Sequence, residues 1–213
     1  MDPSLPVVEC FHSLQGEGKH AGRSAYFIRL ASCKVGCPWC DTKKSWNSEL
    51  HPQRSLIDLS ICTAKAQKEG ASFVVITGGE PLHHNLDLLC KEIRKATLNL
   101  ENKSIPIHLE TSGVDMLSGT PDWITLSPKP HAPPCLETLL SCHELKVVIQ
   151  IEEDLHFAEK MADLIKNHGK IKPHLFLQAG WDNEEGQELA IKYVKKNPDW
   201  RLSMQTHKWL GVL

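Results

Sequence analysis

The sequence predicts an α/β fold, a partial TIM-like barrel of about six parallel strands with few helices. Three observations carry that expectation. Short apolar, β-branched runs alternate with segments of helical spacing, the pattern of parallel strands joined by right-handed crossovers. The polar motifs fall just past the strands, at the end where barrel-type α/β folds build their sites. The chain of 213 residues also has too few strands and full helices for a complete eight-strand barrel, for which ~250 residues are typical.

Taken in order, residues 7–11 read as a short edge strand or lead-in, followed by the glycine-rich turn Ser13-Leu-Gln-Gly-Glu-Gly18. Residues 25–31 form a buried strand that carries Arg29. A guanidinium among apolar neighbours needs an internal ion pair or an anion to receive. A cysteine loop comes next, then a polar insertion to about Arg54. Residues 56–68 place Leu56, Leu59, Ile61 and Cys62 at helical spacing, with Ser55 as cap and Gly70 as stop. Phe73-Val-Val-Ile-Thr77 is the continuous β-branched run of a strand covered on both faces, and it ends in Gly78-Gly79-Glu80-Pro81. His83 and His84 read as flanking residues of the next helix, over residues 86–100, rather than as metal ligands.

Residues 105–109 lead to Glu110-Thr-Ser-Gly113, and residues 123–126 lead to Ser127-Pro-Lys-Pro130. Residues 145–149 form a strand containing Lys146, which reads as an ion-pair partner ahead of a residue reaching into a site. The clearest helix has Phe157, Ala158, Met161, Ala162, Leu164 and Ile165 at three- and four-residue steps, and stops at His168-Gly169. A strand at 174–178, a helix at 184–196 and a strand at 201–205 complete the set. Trp123, Trp200 and Trp209 read as core or dimer-surface aromatics.

The 24 Lys+Arg and 26 Asp+Glu are mixed along the chain and leave a net charge of −2. That balance argues against a nucleic-acid-binding face as the main purpose. No apolar run approaches the ~20 residues that span a bilayer, and Met-Asp-Pro-Ser-Leu-Pro lacks the features of a signal peptide. A cytoplasmic protein with no membrane partner is expected. Without linker, low-complexity tract or repeat, one domain over residues 1–213 is the simplest organisation, able to bury roughly 70% of its unfolded surface.

The stretch around which the strands are arranged is Cys33-Lys-Val-Gly-Cys37-Pro-Trp-Cys40-Asp41-Thr42. Thiols spaced C-x3-C-x2-C can point at one centre, because Gly36 permits a turn and Pro38 fixes another. Thiolates so grouped repel one another unless a metal neutralises them. Three ligands from one loop suit a 4Fe–4S cluster with one iron left open. Zinc, which takes a further protein ligand at structural sites, and a set of free thiols stay open as alternatives on spacing alone. Cys10, Cys62, Cys90, Cys135 and Cys142 are scattered, and read as small buried hydrophobes in a reducing compartment.

C-x3-C-x2-C after one strand, with Gly78-Gly79-Glu80-Pro81 after the next, resembles the radical S-adenosylmethionine superfamily. The finer resemblance is to the 7-carboxy-7-deazaguanine synthases, and it runs over essentially the whole chain. It takes in the turn at 13–18, Arg29, Cys40-Asp41-Thr42, Thr77-Gly-Gly-Glu-Pro81, Glu110-Thr-Ser-Gly113, Ser127-Pro-Lys129, Leu145-Lys-Val-Val148 and Gln205-Thr-His-Lys208. The resemblance implies a radical S-adenosylmethionine core. The implied reaction is a radical-mediated ring contraction of 6-carboxy-5,6,7,8-tetrahydropterin to 7-carboxy-7-deazaguanine, with loss of ammonia, in queuosine biosynthesis. Implied cofactors are a 4Fe–4S cluster on Cys33, Cys37 and Cys40, S-adenosylmethionine, and Mg²⁺. Implied partners are an electron donor such as flavodoxin or ferredoxin, and a second copy in a homodimer.

Carried over by position, Leu14, Gln15, Gly16 and Glu17 would line the pterin pocket, Arg29 would pair the substrate carboxylate, and Thr77 would touch substrate. Thr42 would lend oxygen to Mg²⁺. Trp39, Cys40, Asp41, Gly79, Ser112, Ser127, Pro128, Lys129 and Gln178 would surround S-adenosylmethionine. The family's Gln-Pro is here Gln178-Ala-Gly-Trp-Asp182, a departure that affects contacts beyond Gln178. His207 and the terminal carboxylate of Leu213 would close over the pterin in an ordered, lid-like tail, with Glu17 and His207 carrying proton transfers. The alternative is a glycyl-radical-enzyme activase, which shares the cysteines and the glycine turn. Arg29 and the Gln15/Glu17 turn discriminate, because a protein substrate requires no small carboxylate pocket. A non-catalytic zinc or iron–sulfur module is the third class.

Overall fold

A computed structural model describes residues 3–212. Its strands, in chain order, are β1 (Ser4–Leu14), β2 (Ser24–Leu30), β3 (Gln53–Ser55), β4 (Val74–Gly78), β5 (Ile107–Thr111), β6 (Trp123–Leu126), β7 (Glu144–Ile149), β8 (His174–Ala179) and β9 (Trp200–Ser203). The helices are α1 (Leu56–Lys68), α2 (Asp87–Ala96), α3 (Leu136–Leu140), α4 (Glu152–His168), α5 (Glu184–Lys196) and α6 (Thr206–Leu210). All strands join one sheet in the order β3-β1-β2-β4-β5-β6-β7-β8-β9. From β2 through β9 the neighbours β2, β4, β5, β6, β7, β8 and β9 run parallel, seven strands where about six were expected. No helix among the described residues is long and apolar enough to cross a membrane.

Two expectations need correction. The first strand is longer than residues 7–11 and is not an edge, because it pairs antiparallel with β2 on one side and β3 on the other. The edge is β3, three residues inside the polar insertion. Its Gln-Arg-Ser run has no apolar alternation, and only pairing with Ser4, Leu5 and Pro6 makes it a strand. The helix after the glycine turn is also shorter than residues 86–100, ending at Ala96.

Local chemistry explains the helices. Ser55 caps α1 by accepting from the Asp58 amide at 3.1 Å, and Leu56, Leu59, Thr63 and Ala66 form its buried stripe. Asn183 caps α5 through the Gly186 amide at 2.7 Å. Against one half of the sheet, Ile28, Leu30, Val74 and Ile76 pack on Leu59 of α1 and on Leu89 and Ile93 of α2. Against the other half, Leu145, Val147 and Ile149 pack on Leu155, Ala158, Met161 and Ile165 of α4 and on Ala190 of α5.

Successive strand residues face opposite sides, so the partners of these helix-facing residues line the inside. On β2 and β4 the inward series begins with Ala25, Phe27, Phe73 and Val75 and ends with Arg29 opposite Thr77. The same register pairs Glu110 with Thr125, and Thr125 with Glu144. Inside, apolar residues at the strand starts give way to polar ones at the ends. The N-terminal mouth is filled by packed rings: Phe73 and His108 stack 4.1 Å apart, Trp123 and His143 stack 5.3 Å apart, and His20 meets Trp123 edge to face at 4.5 Å.

Candidate active site

At the C-terminal ends of the parallel strands lies a cleft of about 450 Å³, within the range typical of small-molecule sites. The β1–β2 turn, the cysteine loop, the ends of β4, β5, β7 and β8 and the segment after β9 all contribute to its wall. Each arrives there because the parallel strands deliver their following loops to one end.

At the floor, the Glu17 carboxylate pairs with Lys146 and accepts from Gln178 Nε2 at 3.1 Å and Gln205 Nε2 at 2.8 Å. Burial would raise the Glu17 pKa, but the Lys146 charge and these donors outweigh it and hold the pKa below the ordinary carboxylate value. Burial likewise opposes the charge on Lys146, and Glu17 together with Glu110 lifts its pKa above that of a free lysine. Lys146 is thus both the expected ion-pair partner and part of the cleft wall. Glu110 accepts from Gln15 Nε2 at 2.9 Å and from Thr77 Oγ1 at 2.8 Å, so one carboxylate orients two residues of the expected substrate set.

The glycine turn is held by its own glutamate. Glu80 is 1% exposed and accepts from Leu82 N at 3.0 Å, Thr111 Oγ1 at 2.5 Å and Ser112 N at 2.8 Å, with the Ser112 hydroxyl as a further donor. It clamps the end of β4 to the end of β5. The glycines serve close packing within the chain: a Cβ on Gly78 would stand 2.1 Å from Leu30 O, and one on Gly79 2.4 Å from Ser32 O and 3.0 Å from the Cys33 Cβ. The two loops expected to share a cluster and its ligand therefore touch through bare backbone.

Cys33, Cys37 and Cys40 all line the cleft, and the Cys40 amide closes a turn onto Cys37 O at 3.1 Å. Gly36 takes the positive φ of 70° that the loop requires. Burial raises the Cys33 and Cys37 thiol pKa values. Among the described residues no three His, Cys, Asp or Glu side chains are gathered closely enough to hold a metal ion. Three cysteines that line one cleft from one short loop nonetheless provide the donor chemistry of an iron–sulfur site. Lys129, bonded to Ser127 O and Oγ at 2.7 Å, faces the same cleft, and burial brings its pKa down to about 8.

The remaining expected residues sort as follows. Leu14, Gly16, Trp39, Asp41, Thr42, Ser112, Ser127 and His207 line the cleft. Arg29 lines it too, but donates Nε to Glu9 at 2.9 Å, so the internal ion pair and the cleft position coexist. The Thr42 hydroxyl is engaged with Asp41 Oδ1 at 3.0 Å. Pro128 is buried and does not line the cleft, although its neighbours Ser127 and Lys129 do. Leu213 lies outside the described residues.

The segment after β9 is joined to the β1–β2 turn. Ser203 Oγ accepts from Gly18 N at 3.1 Å, and Gly16 O accepts from both Thr206 N and Thr206 Oγ1 at 3.0 Å. Lys208 reaches across to Asp41 Oδ2 at 2.8 Å, beside the third cysteine. Sequence reasoning missed Glu80, Glu110 and Lys208 as builders of the site. The one signal for the glutamates was their place immediately after strands β4 and β5 or at their ends.

The 4Fe-4S single cluster domain family matches residues 14–118. Over 225 residues the chain is 56% identical to the 7-carboxy-7-deazaguanine synthase of Prochlorococcus marinus, covering 100% of both chains. It is 47% identical to that of Synechocystis sp., covering 98% of this chain and 94% of the relative. Among solved structures, the crystal structure of QueE from Escherichia coli superposes with a TM-score of 0.79 at 30% identity, covering 95% of this chain and 94% of that one.

Proposed function

Because the chain belongs to the 7-carboxy-7-deazaguanine synthase family of radical S-adenosylmethionine enzymes, we propose that its cleft converts 6-carboxy-5,6,7,8-tetrahydropterin to 7-carboxy-7-deazaguanine. Ammonia is lost, a carbon–nitrogen lysis on the route to queuosine. The observation that carries this reading is the lining of one cleft by the cysteine loop, the glycine turn and Arg29. In it, Cys33, Cys37 and Cys40 would hold a 4Fe–4S cluster, and the same cleft would take S-adenosylmethionine and Mg²⁺. When bound, the cluster and S-adenosylmethionine would supply the one-electron chemistry that begins the ring contraction.

The chain's own residues bind, orient and exclude water. Arg29 pairs the substrate carboxylate, sharing its charge with Glu9. Leu14, Gln15, Gly16 and Thr77 frame the pterin, and the Glu110 carboxylate fixes Gln15 and Thr77. Glu17, held ionised by Lys146, is suited to accept a proton rather than to donate one, and His207 stands packed on Gly16 as its partner. Leu213, beyond the described residues, is assigned to the same pocket. Thr42 offers Mg²⁺ one oxygen, which suits an ion that retains several waters. Trp39, Asp41, Gly79, Ser112, Ser127, Lys129 and Gln178 would surround S-adenosylmethionine, with the buried Pro128 fixing the turn between Ser127 and Lys129.

Residues 1–213 form a single domain, a reading supported by the continuous nine-stranded sheet. Trp209, 74% exposed, together with exposed Leu202, Met204 and Leu210 in the same C-terminal stretch of sequence, supports a homodimer. Eight free cysteines are in keeping with a cytoplasmic setting, where flavodoxin or ferredoxin delivers the electron. The test is anaerobic incubation with carboxytetrahydropterin, S-adenosylmethionine and dithionite, followed by mass analysis. Formation of the deazaguanine acid with 5′-deoxyadenosine absent from the products as a stoichiometric species supports the reading, and no conversion by an iron-replete protein refutes it.

A further inference from the structure

The histidine pair that follows the glycine turn plays no part in the chemistry above, and neither ring lines the ligand cleft. The rings reach back instead to the junction that carries Cys33. His84 Nε2 lies 2.8 Å from Ala31 O, two residues before that cysteine. His83 Nε2 lies 3.0 Å from the amide N of Lys34, the residue after it. A carbonyl only accepts and an amide N–H only donates, so the rings take opposite tautomers. His84 carries its proton on Nε2, and His83 carries it on Nδ1, facing Asp115 Oδ2 at 2.5 Å.

The junction between these contacts is one that needs holding. Ser32 has a φ of 88°, a conformation that non-glycine residues keep only when their surroundings over-determine it. Ser32 N donates to Ser45 O at 2.8 Å, Ser32 O accepts from Glu80 N at 2.8 Å, and Cys33 N donates to Trp46 O at 3.2 Å. On either side of these backbone bonds stand Ala31 O and Lys34 N, and the histidines take both.

We propose that His83 and His84 are a two-point brace that fixes the backbone on both sides of Cys33, and so the direction in which its thiol enters the cleft. His83 is a positioning residue held in its tautomer by Asp115. The importance of the brace rests on the reading of Cys33 as a cluster ligand, whereas its geometry does not.

Amide exchange read residue by residue, together with iron release from the reconstituted protein to a chelator, tests the brace. In His83→Leu the Lys34 amide should exchange about fivefold faster, the effect of losing one ordinary hydrogen bond. Iron should leave about fivefold faster as well, while α5 amides keep their parent rates. His83→Gln, whose side-chain oxygen can accept near the Nε2 position, should restore both rates to within about twofold. An unchanged Lys34 amide in His83→Leu, or no rescue by glutamine, overturns the proposal. If His83→Leu does not fold, Asp115→Ala at the half-exposed end of the contact decides: faster Lys34 exchange supports the brace, and the parent rate overturns it. A parent protein that takes up no iron would fault the cluster reading alone, and amide exchange would still judge the brace.

Discussion

Replacing Lys146 by Met would leave the Glu17 carboxylate inside the barrel without its counter-ion. The two side chains are only 9% and 17% exposed, so solvent cannot substitute for the ammonium. Removing one partner of such a pair typically costs ~3–5 kcal/mol. The Gln178 and Gln205 amides still hold Glu17 Oε1, which places the expected loss near about 3 kcal/mol at neutral pH. The pH dependence carries a second signature. In the parent, the lowered Glu17 pKa contributes stability that is complete above the unfolded carboxylate pKa of ~4.3 and is lost as pH falls through the folded value. In the variant burial acts without Lys146, the folded pKa rises above the unfolded one, and protonation favours the native state as pH falls. The gap between parent and variant should therefore narrow on acidification. Anaerobic urea unfolding at about pH 7.5 and about pH 5 measures it, and adding Glu17→Gln should recover most of the loss. A loss under about 1 kcal/mol at neutral pH, or a gap unchanged by acid, would refute the buried-charge argument.

Other expectations are simpler to check. Cys37→Ala should prevent iron uptake by the reconstituted protein, while Cys62→Ala and Cys90→Ala should leave it intact, as metal analysis and absorbance will show. Arg29→Lys should weaken pterin binding by ~1–3 kcal/mol through loss of the planar two-point contact. Equilibrium binding of S-adenosylmethionine should stay near its parent value, and equal weakening of both ligands would make Arg29 purely a partner of Glu9. Gly79→Ala should lower the melting temperature, since its Cβ meets Ser32 O at 2.4 Å and overpacking costs ~1–3 kcal/mol. Burial lifts the Glu144 pKa to about 7. Its neutral form therefore favours the folded state below ~4.3, and that benefit is lost as pH rises toward the folded value. Stability of Glu144→Gln relative to the parent should consequently rise between about pH 5 and about pH 7 in denaturant titrations.

What could be read in the chain was what depends on near neighbours. Phe73-Val-Val-Ile-Thr77 announces a covered strand, Ser55 announces a helix start, and the cysteine spacing announces a loop with its thiols on one side. The first strand's interior position could not be read, because it depends on Gln53-Arg54-Ser55, which becomes a strand only by pairing. The glutamates were illegible for a similar reason. Glu80 and Glu110 look alike as letters, and their roles come from partners such as Thr111 and Gln15 that only the fold brings near. The resemblance located most of the cleft wall. It did not reveal that Arg29 is shared with Glu9, nor that the glycines beside Glu80 are fixed by Leu30 and Ser32.

The union of the β9 segment with the β1–β2 turn has a mechanical consequence. Elsewhere the wall of the barrel is strand ladder, and parting it means unfolding. Between Ser203–Thr206 and Gly16–Gly18 the wall is a seam of four hydrogen bonds, counting Gln205 to Glu17. At ~0.5–1.5 kcal/mol for each of the three neutral bonds and ~1.5–3 for the one to the Glu17 carboxylate, separating all four takes ~3–7 kcal/mol, a local opening rather than a global one. Entry and exit can thus proceed by parting the seam while every parallel strand stays paired. Because Gly16 and Glu17 lie both on the seam and on the cleft wall, a ligand that engages them changes how readily the wall parts around it.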